Sequence, residues 1–463
     1  MRHDKGRAGL RWVMTVFTLG LGALGCGGGG EATPPAGGGT PDDAGTPAAE
    51  PPKEDGHSLA ASNGGLIVVG STEVNYATTG LDVLVRRYTL DGAVDTAFGD
   101  QGSTIIDFGG LAQGPISEKP ERDDQAHTVS ILPDGRILVA GFCNALERTD
   151  GRDVAVARLT PSGQLDTTFN KTGRLRVHFG PSDDFYFRAV ANSLLPLADG
   201  RFYVGGFISK AGDTLDDDFM LLRYQADGTL DTSFSSKDSP AGSWLGRAYT
   251  NTESVQGMVL QGTSVVLAGG TDFAAVRILT SGAQDTTFGT GGLARSEGGR
   301  AHALAMRPGG GLLLAGERQD VKIGDKTYGA LKLVAYTKDG KLDSGFGTGG
   351  VRELTAPTDA LNLVDVSGLV VLPDGRFLVY ADVRAQPVLL RFQANGELDT
   401  SFGTGGLMRW AETKLALPLF VRPTSGPKVA VSGSRAFVTE TNTYNGQIVP
   451  DGTRRMMLKS TDL

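Results

Sequence analysis

The sequence predicts an all-β protein, a β-propeller of four-stranded antiparallel blades, seven by count, placed after a disordered tether. Two observations predict it. A short motif recurs six times: VDTAF at Val94–Phe98, LDTTF at Leu165–Phe169, LDTSF at Leu230–Phe234, QDTTF at Gln284–Phe288, LDSGF at Leu342–Phe346 and LDTSF at Leu398–Phe402. Apolar runs recur seven times, at 65–70, 136–141, 201–206, 264–269, 311–316, 376–379 and 428–433. The motif phenylalanines lie 71, 65, 54, 58 and 56 residues apart. A period of this size marks a supersecondary unit that buries its faces only against neighbours.

The N-terminus comes first. Arg2, Lys5, Arg7 and Arg11 precede an apolar run from Trp12 to Leu24, too short to span a bilayer comfortably. The run ends in Gly22-Ala23-Leu24-Gly25-Cys26, which resembles a bacterial lipoprotein signal. That resemblance implies removal of residues 1–25, a lipid on Cys26, and sorting to the outer membrane. A plain secretory signal followed by an unmodified Cys is the alternative. Residues 26–56 hold no Val, Ile, Leu, Met or aromatic residue, so they cannot bury enough surface to fold. As a flexible tether of ~30 residues they reach about 30 Å. The domain is then expected over 57–463.

Each unit of that domain reads alike. A half-polar stretch such as His127–Leu132 leads into a turn, Pro133-Asp134-Gly135, and then the apolar run. A third strand follows, as at Val154–Leu159, Phe219–Tyr224 and Val388–Phe392. A second Gly turn comes next, at Gly92, Gly163, Gly228, Gly282, Gly340 and Gly396, then the motif and a fourth strand. Short strands punctuated by turns indicate antiparallel sheets, and repeated four-stranded sheets close radially into a propeller. The last unit stops after its third strand, near Met456–Lys459, which leaves ring closure open.

The repeated residues have a structural reading. The motif Asp (Asp95, Asp166, Asp231, Asp285, Asp343, Asp399) can accept an N–H two residues on, as an Asx turn. The motif Phe (Phe98, Phe169, Phe234, Phe288, Phe346, Phe402) can plug between sheets for about 1.5–3 kcal/mol. The third strands carry Arg87, Arg158, Arg223, Arg277 and Arg391, with Ala335 in the fifth unit. Each Arg is expected to fork onto the motif Asp of its own or the next unit. A metal reading of the six Asp would require six ions with few further ligands each.

These copies resemble the delta-60 repeat, a β-propeller domain of unknown function. The resemblance covers roughly residues 57–410 and is carried best by 165–169, 284–292, 342–350 and 398–406. It implies a secreted or surface-exposed bacterial protein and transfers no catalytic residue.

Strand direction assigns faces. The short connections share one face; the long, irregular ones share the other, where binding usually resides. The long connections carry Glu121, Asp123, Asp124, Glu147, Asp150, Asp183, Asp184, Asp213, Asp216, Asp217 and Glu317. Asp213–Asp218 lacks the alternating ligand spacing of a calcium loop. His127 and His302 hold equivalent first-strand positions and are expected to line the channel. Cys143 is expected at the start of a long loop; with two Cys there is no disulfide framework. The net charge of −8 argues against nucleic acid.

The expected function is therefore a monomeric, non-catalytic envelope lipoprotein that binds a protein or glycan through its long-loop face. It needs no cofactor or catalytic residue and meets the membrane only through its lipid. A hydrolase or lyase with a channel metal, and a structural envelope spacer, are the alternatives.

Overall fold

The computed structural model describes residues 14–17, 54–62, 64–73, 80–109, 123–144, 151–179, 187–210, 217–237, 239–246, 254–323, 326–354, 364–383, 386–409, 429–441, 443–444, 447–448 and 456–463. Strand β1 (Met14–Phe17) pairs antiparallel with the outer edge of the second blade. Blade 1 comprises β2 (Glu54–Ser62), β3 (Gly65–Thr72), β4 (Asp82–Thr89) and β5 (Ser103–Ile106). Blade 2 comprises β6 (Gln125–Ile131), β7 (Ile137–Asn144), β8 (Arg152–Leu159) and β9 (Arg174–Phe179). Blade 3 holds β10 (Phe187–Pro196), β11 (Phe202–Lys210), β12 (Asp217–Tyr224) and β13 (Ser243–Gly246). Blade 4 holds β14 (Gly257–Gln261), β15 (Ser264–Thr271), β16 (Ala274–Ile278) and β17 (Leu293–Ala294). Blade 5 is β18 (Arg300–Met306), β19 (Leu312–Ile323), β20 (Lys326–Tyr336) and β21 (Val351–Leu354). Blade 6 is β22 (Val364–Val371), β23 (Phe377–Val383), β24 (Gln386–Phe392) and β25 (Leu407–Arg409). Among the described residues blade 7 is a three-stranded sheet of β26 (Val429–Ser432), β27 (Arg435–Thr441) and a last strand. A small hairpin, β28 (Thr443–Tyr444) and β29 (Gln447–Ile448), precedes that last strand, β30 (Met456–Asp462).

Within each blade successive strands pair antiparallel. The second strands are apolar along their length because neighbouring blades cover both their faces; β3 is buried from end to end. Among the described residues seven apolar clusters fill the ring, and each spans one boundary between consecutive blades. The first strands touch in a closed cycle, β2 to β6, β10, β14, β18, β22, β26 and back to β2. Closure is by packing. Phe437 of β27 sits with Leu59, Leu66, Val68, Leu84 and Tyr88 of blade 1, and β30 pairs within its own blade.

Five first strands carry a β-bulge at the same level. The residue passed over by the ladder is His57, His127, Asn192, His302 or Ser367. The bulge explains why four of the second strands carry Gly opposite it. A Cβ on Gly141 would lie 1.9 Å from the Gln125 carbonyl oxygen, and one on Gly206 1.8 Å from that of Val190.

Three sequence expectations change. The sheet starts at Glu54, not His57, because the Glu54 carboxylate is held by Arg86 of β4 at 2.6 Å. Cys143 lies inside β7, opposite Asp153 and fully buried, rather than in a loop. Glu317 lies in β19, since the β19–β20 hairpin continues as paired strand out to Ile323 and Lys326.

Candidate functional site

Three groups of polar side chains are built into the ring. The outermost is the repeated clamp. In blade 2, Arg158 Nε donates to Asp166 Oδ2 at 2.7 Å and its Nη2 donates to Thr168 Oγ1 at 2.9 Å. Its Nη1 donates to the Ala226 carbonyl of blade 3, and its guanidinium lies 4.8 Å from the Phe169 ring centre. Asp166 Oδ1 accepts the Thr168 amide at 3.1 Å, closing an Asx turn. Burial by itself would raise Asp166. The Thr168 hydroxyl and amide, with Arg158 and Arg136, bring it down to about 2. Phe169 is fully buried among residues of blades 2 and 3. The next amide, Asn170 N–H, donates to the Asp227 carbonyl across the boundary at 2.8 Å.

The same pair recurs as Arg87–Asp95 at 2.8 Å, Arg223–Asp231 at 2.7 Å, Arg277–Asp285 at 2.8 Å and Arg391–Asp399 at 2.7 Å. Blade 5 has Ala335 at the Arg position, yet Asp343 is not left alone. Arg307, from the turn after β18, donates to Asp343 at 2.6 Å and lies 5.3 Å from the Phe346 ring centre. It also donates to the Ala394 carbonyl of blade 6 at 3.1 Å. At the closing boundary Arg435 of β27 donates to the Leu90 carbonyl of blade 1 at 2.6 Å. Three different chain positions thus deliver a guanidinium to one recurring place. Each of these carboxylates is tied to an arginine and serves first to hold the ring; the pair is nearly inaccessible in blade 3 and most open in blade 1.

The innermost group is a belt formed by the bulge residues. His57 Nδ1 lies 2.8 Å from the Ala126 carbonyl oxygen, and His127 Nδ1 lies 3.1 Å from Asn192 Oδ1. Asn192 Nδ2 donates to Ser254 Oγ at 2.7 Å. Each contact crosses a blade boundary. Burial, helped by nearby His57, pushes His127 down to about 3, so it is a neutral ring at physiological pH. His302 differs. Burial lowers it, but Glu317, 2.6 Å away, outweighs burial and raises it. His127 and His302 are therefore at equivalent bulges, with opposite electrostatics. His57 and Asn192 escaped the sequence reading. Their signal was Gly70 and Gly206, the second-strand glycines that a bulge demands.

The third group lies between blades 1 and 2, on the side of the long connections. Oxygens of Asp82, Asp107 and Asp124 lie within 4.8 Å of one another. Burial pushes Asp124 up to about 8, with Asp107 and Asp82 adding to the rise while the Phe108 amide opposes it. Counted at one oxygen each, the three carboxylates supply three of the six to eight oxygens calcium takes. Nearby, Arg176 Nε donates to Asp153 at 2.7 Å, and His178 Nδ1 lies 2.8 Å from the other Asp153 oxygen. Burial pushes the Cys143 thiol well above its ordinary value, which removes thiolate chemistry. A pH dependence follows. The folded Asp124 value exceeds the unfolded one, so its contribution is complete below about pH 4 and is lost as pH rises towards 8. An Asp124→Asn chain should melt higher than the parent at pH 8 and equally at pH 4. Parallel melting curves across that range would contradict it.

Of the acidic loop residues, Glu121, Glu147, Asp150, Asp183, Asp184, Asp213 and Asp216 lie outside the described residues, as does Cys26. Asp217 opens β12, and Asp123 and Asp124 precede β6, where the Asp124 amide donates to the Leu81 carbonyl at 2.7 Å.

The model of a β-propeller domain of unknown function (DUF5122) matches residues 61–98, 132–169, 197–234, 258–288 and 372–402. Every matched segment ends on a motif Phe. Blade 5, with its displaced arginine, falls outside them. No curated protein matches the sequence. Among solved structures, the β-propeller domain of the Trilobed protease from Pyrococcus furiosus, described as having an open velcro topology, is 10% identical. It covers 89% of this chain and 97% of its own, with a TM-score of 0.43. The polysaccharide lyase Uly1 is 11% identical, with 88% and 90% covered and a TM-score of 0.39. A glucose dehydrogenase is 13% identical, with 74% and 97% covered and a TM-score of 0.39.

Proposed function

Because the chain belongs to the DUF5122 β-propeller repeat family, we propose that it is a non-catalytic envelope protein that binds a protein or glycan through its long-connection face. The observation that carries this reading is the division of labour between faces. The short turns are alike from blade to blade and are consumed by clamps that hold neighbours together. The long connections differ in length and composition, which is where a rigid scaffold carries recognition. The buried groups most suited to catalysis support it too. His127 is neutral and hydrogen-bonded, and Cys143 is sealed in a strand.

In the same reading the protein is held at the outer membrane by a lipid on Cys26, with residues 27–53 as a tether. Replacing Cys26 by Ala should move the full chain from the membrane fraction to the soluble one and remove the lipid mass from its N-terminal peptide. A chain that stays membrane-bound, with no lipid mass on the parent, would end the lipoprotein reading. The binding reading is tested on the full chain by melting with a panel of envelope glycans. A ligand at a hundred times its dissociation constant adds about 2.7 kcal/mol. Replacing residues 110–122 and 145–150 by Gly/Ser linkers should abolish that shift. A shift that survives both replacements would move the site away from these two connections. The acidic cluster keeps a metal-dependent hydrolase or lyase as the second reading; a calcium-dependent rise in melting temperature would favour it.

A further inference from the structure

On the opposite face, between blades 1 and 2, lies a cavity of about 460 Å³. Its wall is about equally polar and apolar: Ile67 from blade 1 and Ile131, Pro133 and Pro161 from blade 2 are apolar, while Arg87 and Ser62 of blade 1 and Ser432 of blade 7 are polar. The chain itself shows what such a place accommodates. In three other blades the residue just before the second strand is an arginine that adds a second guanidinium to the motif Asp. Arg136 reaches Asp166 at 3.3 Å, Arg201 reaches Asp231 at 3.4 Å and Arg376 reaches Asp399 at 3.5 Å. In blade 4, Gln261 takes up the same side of the clamp and accepts from Arg277 Nη1 at 2.7 Å. In blade 5, Arg307 itself enters from the turn.

Blade 1 differs at each of these points. Register alignment places Gly65 where the three arginines stand: Leu66 pairs with Tyr88 as Ile137 pairs with Leu159, and Tyr88 and Leu159 both bridge to the first motif residue. Gly65 has no side chain, and a Cβ there would lie 2.5 Å from the Tyr88 carbonyl oxygen, so the position cannot fill itself. Position 97 is Ala where blades 2, 3 and 6 have a hydroxyl that accepts from the clamp arginine. Among the five clamps built on a third-strand arginine, Arg87–Asp95 is accordingly the most exposed, with side chains 23% and 29% exposed. In blade 3 the corresponding side chains are 4% and 3% exposed.

We propose that this cavity is a docking site for the guanidinium of an arginine side chain on a partner protein. Arg87 lines the cavity and holds Asp95 behind it at 2.8 Å; the incoming group reaches Asp95 beside Arg87 as Arg136 reaches Asp166 beside Arg158, while its methylene stem lies against Ile67, Ile131 and Pro133. The site is on the short-turn face and stands independently of the long-connection reading.

The test titrates the full chain with acetyl-arginine-amide and with its neutral twin, acetyl-citrulline-amide, by saturation-transfer NMR. The arginine probe should bind at least about ten-fold more tightly, since a charge-assisted contact replaces a neutral one. Asp95→Asn keeps an oxygen for the Ala97 amide and removes the charge, so it should erase the preference. Ser62→Trp closes the mouth without touching the clamp and should abolish binding even if Asp95→Asn fails to fold. Asp166→Asn should leave binding unchanged. Equal binding of the two probes, no saturable binding of the arginine probe, or full binding by Ser62→Trp would each overturn the proposal.

Discussion

Replacing Arg223 by Met is expected to destabilise the folded ring by about 3 kcal/mol, the low end for breaking a buried ion pair, because it leaves the buried Asp231 carboxylate with only the more distant Arg201 guanidinium, at 3.4 Å. Arg223 and Asp231 are both nearly inaccessible to water, and Arg223 also donates to the Thr280 carbonyl of blade 4 at 2.7 Å. The same replacement at Arg87 should cost only about 1 kcal/mol, since solvent screens that pair. Chemical denaturation of the three proteins reads both values. Equal losses at the two sites would mean that burial is not what makes the clamp strong. Blade 5 suggests a rescue. Leu197 holds in blade 3 the place that Arg307 holds in blade 5; each donates its amide across the first turn, to Arg201 or Gly311. Leu197→Arg should therefore recover part of what Arg223→Met loses, whereas Leu197→Gln should not.

Phe169→Ala should also cost about 3–5 kcal/mol, the usual range for emptying a buried aromatic site. Phe169 is fully buried, and Phe202 and Arg158 pack on its ring. It also meets Gly228, the second Gly turn of the next blade. Gly228 has φ +86°, and a Cβ there would lie 2.7 Å from Phe169 Cε2. Gly228→Ala is thus strained in its backbone and collides with the plug, and a loss of about 2–4 kcal/mol is expected. The two changes touch each other, so their combined loss should fall short of the sum. Additive losses in denaturation would show that ring and turn do not share one contact.

How much of this was legible in the sequence follows from what repeats. The fold class, the Asx turns and the placement of the arginines were readable because the same residue types stand at the same offsets in many units. Phe98, Phe169, Phe234, Phe288, Phe346 and Phe402 all fall in clusters shared by two blades, where their spacing put them. The start at Glu54 was not readable. The segment before it is Pro-rich, and the ion pair with Arg86 that fixes the strand joins residues 32 apart. Cys143 and Glu317 were misplaced because their strands run past the glycine that ends each apolar run. That glycine marks a bulge on the neighbouring strand, not a strand end. The acidic cluster was invisible because Asp82 opens β4 while Asp107 and Asp124 stand at the two ends of the β5–β6 connection, brought together only where blades 1 and 2 stack.

The displaced guanidinium of blade 5 has a consequence for how such rings change over time. What the ring requires is a positive charge at a point in space, and Arg158, Arg307 and Arg435 reach that point from a third strand, a turn and a second strand. A lineage can therefore lose the third-strand arginine without losing the contact, provided another arginine arises first within reach. Substitutions that look independent in an aligned column are then coupled within one repeat. A repeat that has made this exchange drops out of a column-based description while the circle of contacts it belongs to stays intact.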